Sequence, residues 1–136
     1  MSAATAIRYL LANNATLIAQ VPATKIMAGA IPLNTALPAI SVMEISNVPR
    51  NNVGMNETNI LETCRVQVTV LAKTYPTQKS ILELVRKACP NQRGSIGGVE
   101  VDSILPDSAG PDMYDDAAVI YMQSRDFIVK FASSRV

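Results

Sequence analysis

The stretch Arg65–Cys89 reads RVQVTVLAKTYPTQKSILELVRKAC, and it changes from a strand pattern to a helix pattern within a few residues. In its first part, apolar residues alternate with mostly polar ones, beginning one position earlier: Cys64, Val66, Val68, Val70 and Ala72. Alternation of this kind predicts a strand that buries one set of side chains and leaves the other set mostly in water.

The helix pattern begins after Thr74. A hydroxyl residue shortly before Pro76 is typical of a helix N-terminus, because the hydroxyl oxygen accepts a hydrogen bond from the first turn and proline is tolerated there. An apolar stripe at helical spacing follows: Ile81, Leu82, Val85 and Ala88, with Leu84 at its margin. The pattern therefore predicts a strand followed by a helix that packs back onto the sheet, which is a scaffold and not a reaction centre.

The rest of the chain supplies a further helix and further strands around this unit. We predict a helix over residues 2–20 and strands over 25–31, 39–46, 99–105 and 117–131. Helices and strands neither alternate strictly nor separate into halves. We therefore expect an α+β fold with one four- to five-stranded sheet, mixed or antiparallel, and two helices packed on one face. Residues 1–136 form a single domain in this interpretation, with 131–136 as a loose C-terminal tail.

Charge is unevenly distributed along the 136 residues, although the net charge is only +1. Residues 1–100 carry nine basic and five acidic residues, a net charge of +4, whereas residues 101–136 carry three basic and six acidic residues, a net charge of −3. Two regions of opposite sign are complementary across copies in a symmetric assembly, or they are two unrelated solvated surfaces. The small net charge gives no overall reason to expect binding to nucleic acid or an anionic membrane.

Residues that carry chemistry are few. The chain has no histidine, so mechanisms that use imidazole as base or ligand are excluded. Cys64 and Cys89 lie in apolar settings, and we interpret them as reduced, buried residues of a cytosolic protein. The glycine-rich segment 94–98 lacks the spacing of a phosphate-binding loop and is interpreted as a turn. We expect no enzymatic activity and no cofactor, and the apolar runs are too short for a membrane span.

Four segments together carry a resemblance to a known family. They are the helix AIRYLLANNATLIAQV (6–21), the proline-marked strand entry IMAGAIPLNTALPAISVMEIS (26–46), the strand-to-helix stretch already quoted, and the closing strand SRDFIVKF (124–131), which follows an Asp-rich loop. Over residues 5–131, the chain resembles the tail-completion or tail-terminator proteins of long-tailed bacteriophages. The motifs are diffuse, and none has the specificity of a metal or nucleotide signature.

The resemblance implies structural work in a virion. Such proteins form a hexameric ring on the end of the tail tube, stop tube polymerisation and present the surface on which the head connector docks. The implied partners are therefore further copies, the tail tube protein and a neck protein, with DNA passing through the lumen without sequence-specific binding. Assembly in the host cytoplasm is implied as well. The alternatives are another neck or head-completion connector, or a small ligand-binding α+β domain without enzymatic activity.

Two loops are the candidate contact regions, because assembly surfaces usually lie on loops and sheet edges. The first is the Asn-rich segment Asn47–Asn59, and the second is the acidic segment Pro106–Asp116. We expect their charged residues to make contacts between subunits: Arg50, Glu57, Asp112, Asp115 and Asp116. The acidic loop also has the carboxylates of an oxygen-ligand metal site, but its spacing favours a solvated loop.

Overall fold

A computed structural model describes residues 2–32, 35–50 and 59–134. Three α-helices occur in it, α1 (Ala3–Ala12), α2 (Ala15–Ile18) and α3 (Tyr75–Ala88), with a 3-10 turn at Ala23–Lys25. The strands are β1 (Ile26–Ala28), β2 (Ala39–Arg50), β3 (Asn59–Ala72), β4 (Gly94–Ile96), β5 (Val99–Ala109), β6 (Met113–Asp115) and β7 (Ile120–Ser134). Among the described residues, no helix is long and apolar enough to span a membrane.

All seven strands belong to one curled, mixed sheet that forms a half-barrel. The strand order is β1-β2-β3-β7-β5-β4, and β6 pairs with β7. Strands β1 and β2 are parallel, and every other pair is antiparallel. The predicted sheet of four to five strands with two helices was therefore wrong.

The physical reason for this error is element length. Strands β4 and β6, which the prediction lacks, are three residues each and too short to show an alternation. The predicted N-terminal helix is divided because the side chain of Asn14 caps α2, accepting a hydrogen bond from the Leu17 N–H at 3.0 Å. Two consecutive asparagines inside an apolar pattern thus separate the helices: Asn13 is the C-cap of α1 and Asn14 is the N-cap of α2.

Strand β3 lies at the centre of the sheet, and its alternation is as predicted. Its inward side chains from Cys64 to Ala72 are all buried. The register with β7 places Phe127 opposite Val66 and Val129 opposite Cys64, on the same face. The helices cover this face, which we call the helix-covered face, and one hydrophobic cluster fills the space between.

Helix α3 begins and packs as the sequence predicted. Thr74 is its N-cap and accepts a hydrogen bond from the Thr77 N–H at 3.4 Å. The predicted apolar stripe is buried, and so is one polar residue that the pattern did not mark, Gln78. The strand-to-helix unit is therefore a packed scaffold.

The predicted loops are shorter than expected because the strands run into them. Strand β2 continues to Arg50, β5 continues through Pro106 to Ala109, and β7 continues to Ser134 through residues predicted as a tail. Bulges interrupt β2 at Glu44/Ser46 and β5 at two places. An edge strand tolerates proline and polar residues because only one of its sides is hydrogen-bonded. The prediction from composition therefore assigned these segments to loops, although they are paired edge strands.

The turn between β4 and β5 requires glycine, in agreement with the turn predicted for 94–98. Gly97 and Gly98 have φ values of 58° and 83°, in the left-handed region that favours glycine. A Cβ on Gly97 would lie 2.9 Å from the Cβ of Tyr9. This hairpin therefore approaches α1 closely enough that only glycine fits.

Candidate assembly surface

The predicted contact charges lie in two separate regions of the sheet. Arg50 ends β2, where it pairs with Leu61 of β3, and Glu57 lies outside the described residues. The three aspartates lie around β6, at the other end of the long strands. The structure thus brings the aspartates near one another and keeps them apart from Arg50.

Asp112 is held by α3 of the same chain. Its carboxylate accepts a hydrogen bond from the Lys79 ammonium at 2.7 Å and another from the Tyr75 hydroxyl at 3.2 Å. The hydrogen bond from Lys79 is the main reason that the pKa of Asp112 lies below its ordinary value, and the pKa of Lys79 is raised in turn. This carboxylate fastens the segment before β6 to the helix.

Asp115 shapes the turn between β6 and β7. Its side chain accepts hydrogen bonds from the backbone N–H groups of Ala117 and Ala118, at 3.1 and 3.2 Å. This is the ordinary way in which aspartate stabilises a turn. Asp116 follows in the same turn, exposed and without an ion pair among the described residues.

A polar cluster lies between α3 and β7, next to Asp112. Gln123 accepts from Lys79 at 2.5 Å and donates to the carbonyl oxygen of Gly110 at 2.8 Å. The side-chain amide of Gln78 donates to Gln123 at 3.4 Å. Two side-chain atoms nearby, the Oε1 of Gln78 and the Nε of Arg125, are buried without a partner among the described residues. The cluster fixes how α3 sits on β7 and how the chain enters β6.

Sequence reasoning missed Arg65, which lies at the centre of a charge cluster formed by three strands of the sheet. Arg65 bridges Asp126 of β7 at 3.1 Å and Asp107 of β5, so one guanidinium joins three strands. These bonds, the one to Asp107 foremost, raise the pKa of Arg65, and they lower that of Asp107. Two features of the sequence could have indicated this cluster. Arg65 lies at an outward position of the predicted central strand, and Asp126 lies in the predicted last strand.

The uneven charge along the chain is largely neutralised within one subunit. Of the five ion pairs between described residues, four join residues 1–100 to residues 101–136: two from Arg65, one from Lys79 and one between Arg93 and Asp102. Complementary charge between segments therefore stabilises the fold first. Asp112 in particular is paired with Lys79 of the same chain, and its predicted contact between copies stays a prediction.

Three tyrosines lie together where β6 pairs with β7. The ring centroid of Tyr121 is 4.5 Å from that of Tyr114 and 6.0 Å from that of Tyr75. Tyr75 and Tyr114 are exposed, as are the neighbouring Met113 and Val119. Aromatic side chains and methionine are enriched in the buried centre of protein interfaces.

Two edges of the sheet expose apolar side chains and lack a neighbouring strand among the described residues. The β2 edge is Met43–Arg50, because β1 pairs only with Ile40–Val42. The β5 edge is Asp102–Ala109, because β4 pairs only with Val99–Val101. Exposed apolar residues lie along both edges: Met43, Ile45 and Val48 on the first, and Leu105 on the second.

A groove of about 250 Å³ lies where residues of β3, β7, β5 and β4 come together, at the part of β5 that pairs with β4. Its lining includes Leu61 and Ala132 from the central strands, with Arg93, Glu100 and Asp102 around them. The lining carries one basic and two acidic side chains, and is therefore net negative. Among the described residues, no group of three or more ligand-type side chains stands ready for a metal ion.

The two thiols are buried and unreactive. Burial raises the pKa of Cys89 to about 12 and, with help from nearby carboxylates, that of Cys64 to about 11. Both cysteines are free, as predicted from their apolar settings. A thiol whose pKa is raised in this way is protonated near neutrality and is a poor nucleophile.

A curled sheet with one packed face and exposed apolar edges is typical of a subunit that associates with other protein chains. The comparisons with known proteins agree with this class. The sequence profile of the tail completion protein gp17 family matches residues 5–121, so the chain belongs to that family. It is accordingly a structural component of a phage-like virion, placed at the tail or neck.

A solved structure supports the fold. A chain in a structure described as the virion of a native gene transfer agent particle superposes with a TM-score of 0.70 at 14% identity. The match covers 97% of this chain and 96% of that chain. No curated protein matches the sequence. The family resemblance drawn from the four sequence segments is confirmed.

Proposed function

We propose that the protein caps the tail tube as a hexameric ring, ends tube polymerisation and provides the surface on which the head joins the tail. The observation that carries this proposal is membership of the tail completion family over residues 5–121. The role is structural, without catalysis or cofactor. DNA passes through the lumen of the ring without sequence-specific contacts.

The shape of the subunit supports this role. A ring needs two different surfaces on each subunit that meet after rotation. The β2 edge and the β5 edge lie on opposite sides of one sheet, and both expose apolar side chains. The remaining partners, the tail tube protein and a neck protein, would then meet the top and bottom of the ring.

The first experiment is the mass of the purified full chain in solution, measured by light scattering over a concentration series with negative-stain images. We expect particles of about six copies with a central hole, following the closed symmetry of homo-oligomers. Tubes assembled from the tail tube protein should stop growing when the protein is added, and rings should appear at one tube end.

A different outcome would contradict the proposal in a specific way. Rings of about twelve copies that bind a portal and ignore the tail tube would indicate a connector at the head instead. A monomer that neither binds tubes nor alters their length would remove the capping role. The measurement therefore separates the tail-end function from the alternative neck function.

A further inference from the structure

Arg125 of β7 differs from the other arginines whose side chains the structure describes, because it alone has no acceptor. Arg8 donates to two backbone carbonyl groups, and Arg65, Arg86 and Arg93 each form an ion pair with a carboxylate. Arg125 forms neither a hydrogen bond nor an ion pair with any described residue. A guanidinium nitrogen that is buried without an acceptor costs free energy, so it requires an explanation.

Arg125 lies at the border of the helix-covered face, between Gln123 and Phe127. It pairs with Val68 of β3 on one side and with Ala109 of β5 on the other. Val68 is fully buried, whereas Ala109 is exposed. The covered part of the sheet therefore ends at Arg125, and an open flank lies between α3 and β5.

The guanidinium of Arg125 has a buried base and an accessible tip. Its Nε is buried without a partner, whereas Nη1 and Nη2, which are also unpaired, reach the surface. Packing around Nε holds the group in place, so the two Nη atoms form a fork with a fixed direction. Such a fork matches the two oxygens of a carboxylate, and its preorganisation lowers the entropy cost of binding.

The carboxylate of α3 that senses Arg125 is already bound. The pKa of Glu83 is lowered mainly by its hydrogen bonds with Arg86 and to a smaller extent by the nearby charges of Lys87 and Arg125. Both carboxylate oxygens of Glu83 accept from the Nε of Arg86, at 3.1 and 3.2 Å. Glu83 thus lies near Arg125 and pairs with a different arginine.

The nearby amide network does not supply an acceptor either. Gln123 accepts from Lys79 at 2.5 Å and donates to the carbonyl oxygen of Gly110 at 2.8 Å, so the orientation of its amide is fixed. Gln78 must then donate to Gln123, and its Oε1 stays unpaired, as does the Nε of Arg125. The network therefore ends at Gln78 without reaching Arg125.

We propose that Arg125 binds a carboxylate of another protein chain, an aspartate or glutamate side chain that enters at the flank between α3 and β5. The inference does not depend on the ring proposed above, because a single subunit presents the fork. DNA fits this site less well, since binding to DNA draws on several unpaired cations. The neighbouring cations Lys79 and Arg86 are already paired with Asp112 and Glu83, so one guanidinium is left for one carboxylate.

The first test measures the binding of acetate, as a carboxylate probe, to the full chain labelled with nitrogen-15. The NMR signal of the Arg125 Nε–H is assigned by its loss in Arg125→Met. Acetate should shift this signal along a saturable curve, whereas chloride at the same ionic strength should not. The signal of Arg65 is the internal control and should stay in place, because two aspartates already occupy its guanidinium. Equal shifts in acetate and chloride would overturn the proposal, and so would a saturable response to inorganic phosphate with none to acetate.

Thermal melts distinguish a binding role of Arg125 from a structural one. Arg125→Met keeps an apolar stem and removes the unpaired charge, so in chloride it should melt at or above the temperature of the unmodified chain. Acetate should raise the melting temperature of the unmodified chain and leave that of Arg125→Met unchanged. The matched control Arg93→Met removes an arginine that has an acceptor, and it should keep the response to acetate. A lower melting temperature of Arg125→Met in chloride would show that Arg125 holds the fold and would overturn the proposal.

The last test asks whether the carboxylate comes from another chain. Phenylglyoxal, which modifies accessible arginines, is applied to the free chain and to assembled particles that contain it, and the modified peptides are identified by mass spectrometry. Arg125 should react in the free chain and be protected in the particles. Equal reaction in both would overturn the proposal. A chain that binds acetate at Arg125 but neither forms rings nor caps tubes would reject the capping function alone, and rings without acetate binding would reject this inference alone.

Discussion

The helix-covered face and the two open edges of the sheet both carry apolar side chains, but those side chains are buried on the face and exposed at the edges. On the helix-covered face, Phe127 and its neighbours are fully buried within one subunit. On the β2 edge, by contrast, Val48 is 65% exposed. Burial removes apolar surface from water within the monomer, whereas exposed apolar surface gains nothing until another chain covers it.

An apolar residue must therefore be tested by a different measurement in each of these regions. A core substitution changes the free energy of unfolding of the monomer. An edge substitution that does not weaken the strand backbone should leave that quantity nearly unchanged and should affect only the proposed association between copies. Four predictions on the monomer separate the two regions, and each of them should be measured at a protein concentration at which the chain is monomeric.

The largest effect is expected for Phe127→Ala. Phe127 packs at the centre of the core, so its truncation should lower the free energy of unfolding by about 3–5 kcal/mol through lost burial and a cavity. Urea unfolding followed by circular dichroism measures this. The matched change at the β5 edge, Leu105→Ala, should stay within about 0.5 kcal/mol of the unmodified chain. Similar losses at both positions would remove the distinction between core and edge.

A smaller effect is expected where α3 begins to cover the sheet. Thr74→Ala removes the side-chain acceptor of the N-cap and should lower the free energy of unfolding by about 1 kcal/mol. Thr16, exposed on α2, provides the control, since Thr16→Ala removes a threonine that caps nothing. A Thr74→Ala variant with an unchanged urea midpoint would show that the cap does not help to hold the helix on the sheet.

The helix-covered face was predictable from the sequence because periodicity is a local property. The alternation from Cys64 to Ala72, the cap at Thr74 and the stripe of α3 each follow from a few neighbouring residues. The family resemblance followed from the order of such segments. The sequence did not show which segments, far apart along the chain, pair with one another in the sheet.

The edges illustrate that limit. Pro106 and the polar residues around Asn47 are typical of loops, but long-range pairing with β7 and β3 makes both segments strands. Asp112 was predicted to contact another subunit, and only the fold shows that Lys79 lies 2.7 Å away in the same subunit. Arg50 lies at the end of an edge strand. The predicted contacts between copies stay predictions for all five charged residues: Arg50, Glu57, Asp112, Asp115 and Asp116. The three-residue strands β4 and β6 carry too little pattern to be found from the sequence.

The turn between β6 and β7 allows a gain in stability. Val119 has φ of 54°, a left-handed conformation that a β-branched residue adopts only at a cost. Val119→Gly should therefore raise the free energy of unfolding by up to about 1 kcal/mol. The same change on the β2 edge, Val48→Gly, should lower it by about 0.5–1 kcal/mol, because glycine weakens a strand. Equal signs for the two variants would contradict this interpretation of the turn.

The smallest effect concerns the ion pair between Lys79 of α3 and Asp112, which joins the helix to the segment before β6. Because the folded-state pKa of Asp112 is lowered, its contribution to stability is present above the ordinary aspartate pKa and is lost as pH falls through the lowered value. The raised pKa of Lys79 adds a contribution that is lost only as pH rises through that value.

Lys79→Met should therefore melt slightly below the unmodified chain near neutrality, and the two melting curves should converge in acid. Added salt should shrink the difference at neutral pH as well, since both side chains are partly exposed. Lys73→Met is the control, because Lys73 makes no ion pair among the described residues and its melting difference should not vary with acid. A Lys79→Met deficit that persists in acid would assign the stabilisation to packing against Tyr75 instead of to charge. The segment before β6 would then be stabilised by packing, as the core is. Asp112 would accordingly belong to the packed part of the molecule and not to its exposed edge.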